Sequence, residues 1–304
     1  ITLAALDKGL DVYCEKPITH LFAEGQQVYQ KVAERKAVFQ VGSQQRSEPV
    51  FRQAVEIVRN GHLGKISHFE VGLPAGYSEA QGSTEVLEIP EGLDYEMWCG
   101  PSEKLPYMKA RHHRWWRWHT AYGGGNLMDW IGHHNDIAHW GMGYEDSGPV
   151  KLESKGWTWA EAKVYDTPVE YEVHSEYPDG RKGIISTKFT KGTKWVSTDG
   201  WLWVDRGKIE ASNPDWLKKD FEAGDWKAYR SPGHQRNFID CVKSRKTETA
   251  APAENGHRSI TPGHLGWVSA RVGRALKWDP VKENIVGDDA AQVELMKLNY
   301  SEWE

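Results

Sequence analysis

The segment Tyr122–Gly143 combines two carboxylates and a histidine at helical spacing. At about 100° per residue, a helix places Asp129, His133, Asp136 and Trp140 within an arc of about 60°. A carboxylate one turn before a histidine can orient the imidazole and stabilise its protonated form, which makes an acid–base pair suited to neutral pH. An ordinary ion pair on a solvated helix face has the same spacing, so both interpretations stay open.

The rest of this segment indicates how the helix is positioned. Gly123–Gly125 precede it and allow close backbone approach at its N-terminus. The face opposite Asp129 is apolar, which predicts that it packs on a core and that His134 on that face is a packed histidine. The apolar face consists of Leu127, Trp130, Ile131, His134, Ile137 and Ala138.

A second polar group, Glu15-Lys16-Pro17, directly follows the strand-like run Asp11–Cys14. Doubly wound sheets bind ligands at the carboxyl ends of their strands. A lysine there can stabilise negative charge that develops on a substrate oxygen, and the proline fixes the turn. A surface charge pair before an ordinary turn is the alternative for this tripeptide.

The stretch Arg111–His119 carries Trp115, Trp116 and Trp118 among arginines and histidines. Aromatic and guanidinium planes can stack on sugar rings, and the cationic groups can donate hydrogen bonds to hydroxyls. A Trp-rich loop packed on a sheet is the alternative, and we expect at least one of the three indoles to be packed in this way.

The patterns of the first 60 residues alternate between helix and strand. Consecutive strand patterns with tight turns follow between Val150 and Ser212, which indicates an antiparallel or mixed sheet. The sequence therefore predicts an α/β fold with a parallel, doubly wound beginning and a later, larger sheet. The predicted helices are Ile1–Lys8, about Thr19–Arg35, Pro49–Asn60, Asn126–Gly141, Gln235–Ser244 and Gly263–Leu276, and the first strands are Asp11–Cys14, Val38–Val41 and Ile66–Leu73.

Composition excludes several classes of protein. Of the 304 residues, 39% are hydrophobic, which is enough to form a core. The net charge is −5, which argues against the basic face of a nucleic-acid-binding protein. No apolar run reaches the roughly 18 residues that span a membrane. Cys14, Cys99 and Cys241 are too dispersed for a disulfide framework or a paired zinc motif, which is typical of a reducing compartment.

The first residues, Ile1–Leu10, have the pattern of the end of a helix that started earlier, and the chain begins with Ile1. We therefore expect a fragment or a processed product whose export signal cannot be judged. The printed residues contain no G-x-G-x-x-G turn, no Walker loop and no G-x-S-x-G elbow.

Glu15-Lys16-Pro17 and the run from Gly123 to His134, in this order and more than a hundred residues apart, resemble the two motifs of the Gfo/Idh/MocA oxidoreductase family. The resemblance covers essentially the whole chain, and the Trp-rich loop is similar to a bacterial branch of that family. It implies the remainder of a Rossmann dinucleotide-binding domain over residues 1–63, with its first βαβ unit missing. An α+β substrate and oligomerisation domain with a large, mostly antiparallel open sheet would follow over residues 64–304.

The resemblance also implies an activity, namely hydride transfer between a sugar or cyclitol carbon and NAD or NADP. Lys16, Asp129 and His133 match the family's catalytic residues: His133 would remove the hydroxyl proton, Lys16 would stabilise the alkoxide, and Asp129 would hold the substrate or the imidazole. The expected cofactor contacts are Glu15, Lys16, Pro17, Gln44 and Arg46, and the expected substrate contacts are Arg117, Trp118, His119 and Asp129.

Several alternatives stay open. Some relatives use nicotinamide transiently to cleave glycosides, although their helix begins differently from Tyr122-Gly123 here. A metal-dependent hydrolase or isomerase could use Asp129, His133 and Asp136. A sugar-binding protein that has lost catalysis would keep the fold.

The expected partners are a carbohydrate or polyol and further copies of the chain in a dimer or tetramer, with no nucleic acid and no membrane insertion. No metal is assigned. The compartment is open between cytoplasm and periplasm.

Overall fold

Two parallel strands and a connecting helix form the first part of the chain. β1 (Val12–Cys14) and β2 (Phe39–Val41) pair in parallel. α2 (Phe22–Arg35) joins them, and Glu24 Oε2 accepts the Leu21 N–H at its start. This confirms the predicted alternation of helix and strand. The computed structural model describes residues 1–161 and 163–298.

A nine-stranded sheet forms the second part, with the strand order β11-β10-β4-β5-β6-β3-β7-β8-β9. Only β3 and β6 pair in parallel; every other neighbouring pair in this sheet is antiparallel. The prediction of a large, mostly antiparallel open sheet is confirmed. The strands are β3 (Ile66–Gly72), β4 (Lys151–Lys155), β5 (Glu172–Glu176), β6 (Lys182–Ser186), β7 (Gly192–Ser197), β8 (Trp201–Asp205), β9 (Lys208–Ala211), β10 (Leu276–Asp279) and β11 (Asn284–Ile285).

The central helix, α5 (Gly125–Met142), is enclosed on nearly every side. Of its 18 residues, all but Asp129 and Trp130 are buried, because α3, α7 and the sheet strands β3 and β7 pack around it. The prediction of separate polar and apolar faces is therefore wrong, since Asp136 and Trp140 are as buried as the apolar residues. The other helices are α1 (Thr2–Asp7), α3 (Pro49–Arg59), α4 (Tyr95–Cys99), α6 (His234–Ser244), α7 (Ala253–Val272) and α8 (Asp289–Leu295).

The last long helix, α7, begins ten residues before the predicted start at Gly263, and Leu276 belongs to β10 instead. Pro262 lies inside α7, although proline lacks the N–H that a helix interior uses. Burial of both halves of α7 against α5, α2 and the sheet outweighs this local preference. No helix within the described ranges is long and apolar enough to cross a membrane.

Residues that follow the large sheet return to the parallel strands. The Val41 N–H donates to the Ala251 carbonyl oxygen at 2.8 Å, and the Thr249 hydroxyl donates to the Phe39 carbonyl oxygen at 2.8 Å. The division of the chain between residues 63 and 64 stays a prediction, and residues of the later region form hydrogen bonds to β2.

Candidate active site

Lys16 reaches from the end of β1 to the central helix. The Lys16–Pro17 peptide bond is cis. The Lys16 Nζ donates to the Asp129 backbone carbonyl oxygen at 2.8 Å and to Asp129 Oδ1 at 2.9 Å. Both side chains are partly buried, so this ion pair is less screened by solvent than a surface pair. The structure thus brings together two residues that the sequence placed in separate motifs.

Lys16 and Asp129 line a cleft of about 340 Å³. The Arg117 Nε lies 3.8 Å from Asp129 Oδ1, and the Arg117 guanidinium lies 4.7 Å from the centre of the Trp116 ring. A Cβ atom on Gly123 would come within 3.0 Å of the Arg117 backbone, so the close approach of this turn favours glycine. The expected site residues that line this cleft are Glu15, Lys16, Pro17, Arg117 and Asp129.

His133, one turn after Asp129, is 5% exposed, and its Nδ1 has no hydrogen-bond partner among the described residues. Burial, together with the positive charges of Lys16 and Arg206, lowers the pKa of His133 to about 2. The expectation that Asp129 stabilises a protonated His133 is therefore wrong, because Asp129 pairs with Lys16 and the imidazole is neutral. A neutral imidazole has a free lone pair that can accept a proton, and the burial and neighbouring positive charges weaken it as a base.

The loop after β2 fixes the helix at this point. The Ser43 hydroxyl donates to the Gly132 carbonyl oxygen at 3.3 Å, and the Gln45 side-chain amide donates to the His133 carbonyl oxygen at 3.1 Å. These two positioning residues were not predicted. Gln44, between them, is partly exposed, and its contact with a cofactor stays a prediction.

Arg46, an expected cofactor contact, is directed into the protein. It is 4% exposed, its Nε and Nη2 donate to Asp136 at 2.7 and 2.8 Å, and its Nη1 donates to Glu145 at 2.7 Å. These bonds occupy the guanidinium inside the protein and also remove Asp136 from the proposed metal ligands. In the part of the chain that the structure describes, no three His, Cys, Asp or Glu side chains form a metal site.

The Trp-rich stretch divides between core and cleft. Trp118 is 2% exposed and packs edge-on to the Tyr77 ring, which corrects its assignment as a sugar contact. His119 does not line the cleft either, and its Nδ1 accepts the Ala121 N–H at 3.2 Å. The reason is local: residues Trp115–Trp118 form a 3-10 turn, which puts its first and last indoles on one inner face.

Besides Gly123–Gly125, six residues that were not among the predicted contacts line the cleft: Ile18, Thr19, His20, Trp116, Tyr122 and Met128. Burial lowers the pKa of His20, so this imidazole is neutral as well. Tyr122 directly precedes the glycine run and His20 lies three positions after Pro17, and this proximity in sequence is the signal that could have identified them. His134 is fully buried beside Trp130, which confirms its predicted packing.

A strand-end lysine paired with a helix aspartate, in a cleft lined by the loop after β1 and the first turns of α5, belongs to an α/β fold of the doubly wound type. The chain belongs to the Gfo/Idh/MocA oxidoreductase family, because residues 51–304 match the profile described as "Oxidoreductase family, C-terminal alpha/beta domain". None of the curated proteins matches the chain.

Solved structures share this fold at low sequence identity. The chain resembles the WlbA dehydrogenase from Bordetella pertussis, in complex with NADH and UDP-GlcNAcA, at 17% identity and a TM-score of 0.63, covering 91% of this chain and 75% of that one. It also resembles aldose-aldose oxidoreductase from Caulobacter crescentus, complexed with glycerol, at 16% identity and a TM-score of 0.61, covering 91% of this chain and 74% of that one. A third similar structure is myo-inositol 2-dehydrogenase from Lactobacillus plantarum, at 18% identity and a TM-score of 0.57, covering 91% of this chain and 76% of that one.

Proposed function

We propose that this protein is an NAD(P)-dependent oxidoreductase that transfers a hydride between a hydroxyl-bearing carbon of a sugar or polyol and nicotinamide. The observation that carries the proposal is the 2.9 Å contact of Lys16 Nζ with Asp129 Oδ1, one helical turn from a buried, neutral His133. Relatives described as an aldose-aldose oxidoreductase and an inositol dehydrogenase support the same class of substrate.

The cleft fits the reactive end of a nicotinamide nucleotide. Lys16 stands at the carboxyl end of a parallel strand, where such folds bind ligands, and Gly123–Gly125 allow close approach to the backbone. His133 is not among the residues that line the cleft, and its buried Nδ1 has no hydrogen-bond partner among the described residues. The 304 residues contain no G-x-G-x-x-G turn, so they account for the nicotinamide end and not for the pyrophosphate.

The residues of this chain would move the proton and stabilise the charge. Bound nicotinamide supplies the hydride acceptor. The neutral imidazole of His133 takes the substrate's hydroxyl proton, and the Lys16 ammonium donates a hydrogen bond to the oxygen as negative charge develops. Asp129 holds that ammonium in place through two acceptor oxygens. In the reverse direction, His133 returns the proton.

The test uses the gene product as encoded, with any residues that precede Ile1, and offers NAD⁺ and NADP⁺ separately. Glucose, myo-inositol and methyl glucoside serve as substrates, and reduced nicotinamide and the organic product are both measured. A keto-sugar formed together with reduced cofactor supports the proposal. Cleaved glycoside without net reduction would replace it with redox-assisted hydrolysis or elimination, and sugar binding without any product would indicate a binding protein.

A further inference from the structure

A second, smaller pocket lies against α7, next to the Gly123–Gly124 turn. It shares His20, both glycines and Met128 with the lining of the cleft. The two pockets are therefore neighbours, and a ligand with two rings can contact both. Most of the remaining lining of the second pocket comes from α7 and α8, which contribute no residue to the first.

The second pocket contains a polar atom that lacks a partner. His264 lines it and is only 8% exposed, and its Nε2 has no hydrogen-bond partner among residues 1–161 and 163–298. Burial lowers the pKa of His264 to about 3, so the ring is neutral. A buried polar atom without a partner costs free energy, and a hydroxyl group from a ligand would satisfy it.

An aromatic surface adjoins this atom. Trp267 lines the same pocket, and its ring centre lies 5.4 Å from that of Trp157 and 5.7 Å from that of Trp159. Trp159 is 47% exposed, so the three-indole cluster reaches solvent. The Arg271 guanidinium lies 5.4 Å from the centre of the Trp267 ring. Indoles beside neutral imidazoles suit a pyranose ring, which presents a C–H face and a rim of hydroxyls.

The size of the pocket argues against a nucleotide as its occupant. Its volume is about 90 Å³, whereas pockets that enclose a whole drug-sized ligand have roughly 300–1,000 Å³. One sugar ring can place one edge at His264 and the other against the part of Trp267 that lines the pocket.

We propose that this second pocket binds the non-reacting ring of a glycoside, so that the substrate of this protein has at least two sugar rings. The inference rests on the proposed function for the identity of the first ring. It adds a specificity site made of His264 and Trp267 on α7. The reacting ring would lie at Lys16 and Asp129, and the second ring would lie past Gly124.

Calorimetric titration of the full gene product without added cofactor tests this proposal. The probes are glucose, maltose, cellobiose and chitobiose. We expect at least one disaccharide to bind about tenfold more tightly than glucose, because its second ring adds an aromatic contact and a hydrogen bond. Trp267→Ala should reduce that advantage to about threefold or less, and Trp267→Phe should restore part of it.

Two further variants keep the test decisive. His264→Phe removes the unpartnered Nε2 while it keeps an aromatic ring, and it reports on the pocket even if Trp267→Ala fails to fold. Trp201→Ala is the matched control, because this partly buried indole lines a different cavity on the large sheet. The inference is overturned if glucose binds as tightly as every disaccharide, or if the disaccharide advantage survives both Trp267→Ala and His264→Phe. If no sugar binds at all, the proposed class of substrate fails together with it.

Discussion

Lys16 Nζ lies 2.8 Å from the backbone carbonyl oxygen of Asp129 and 2.9 Å from its Oδ1, across 113 positions of sequence. In a regular helix the same carbonyl oxygen also accepts the N–H of His133. The ammonium group is thereby fixed to the turn of α5 that carries both other candidate catalytic residues. The geometry of the candidate site depends on this one contact between the end of β1 and α5.

Replacing Lys16 by methionine removes the charge and keeps the length of the side chain. We expect Lys16→Met to lower kcat at least about 100-fold while the protein stays folded, because the developing alkoxide loses its hydrogen-bond donor. Steady-state rates with the best substrate, together with circular dichroism, measure this. Lys31→Met is the matched control, since Lys31 pairs with Glu34 on the surface of α2. Near-normal turnover in Lys16→Met would remove Lys16 from the mechanism.

His133 should remain neutral throughout the physiological pH range. Its pKa of about 2 lies far below the ordinary value because of burial and the nearby positive charges. We expect its imidazole resonances, assigned by comparison with His133→Gln, to stay constant between about pH 8 and about pH 5 in an NMR titration. A midpoint near the ordinary value of about 6.5 would contradict the buried, neutral state.

Buried histidines should make the fold sensitive to acid. Burial lowers the pKa of His139 to about 3 and that of His264 to about 3. As the pH falls below about 6.5, the unfolded chain binds protons that the folded protein excludes, so stability is lost at about 1.4 kcal/mol per pH unit for each such residue. The loss continues until the pH reaches the folded-state pKa.

His139→Gln tests this linkage and retains a side chain that can hydrogen-bond to Tyr177, whose hydroxyl lies 2.7 Å from His139 Nε2. We expect the free energy of unfolding of this variant to fall less steeply as the pH is lowered from about 6 to about 4, with a slope smaller by about 1.4 kcal/mol per pH unit. Urea unfolding at a series of pH values measures the slope. An unchanged slope would show that His139 does not exclude a proton in the folded state.

The buried ion pair between Arg46 and Asp136 should contribute to stability rather than to cofactor binding. Arg46→Met leaves the Asp136 carboxylate, which is 2% exposed, without its counter-charge. We expect a loss of about 3–5 kcal/mol in the free energy of unfolding, whereas Arg35→Met, whose surface partner is Asp7, should change it little. Equal losses in the two variants, measured by denaturant unfolding, would contradict this assignment.

Local patterns were sufficient for the elements that position the site. The predicted helix Asn126–Gly141 differs from α5 by one residue at each end, because Gly125 and Gly143 delimit it with local backbone preferences. The strand before Lys16 was likewise recognisable from a short apolar run between a glycine-ended helix and a proline. These signals depend only on neighbours in sequence, so the bounds of the helix and the strand can be predicted without knowledge of the fold.

The partners of the polar residues could not be obtained in this way. His133 and Asp136 have the spacing of a solvated helix face, yet α3, α7 and the sheet cover them, and the Arg46 that neutralises Asp136 comes from 90 positions away. Trp118 was predicted to contact the substrate, although it is part of a hydrophobic core. Periodicity records which side chains share a face, and only the packing of distant elements decides whether that face meets water, a ligand or the protein interior.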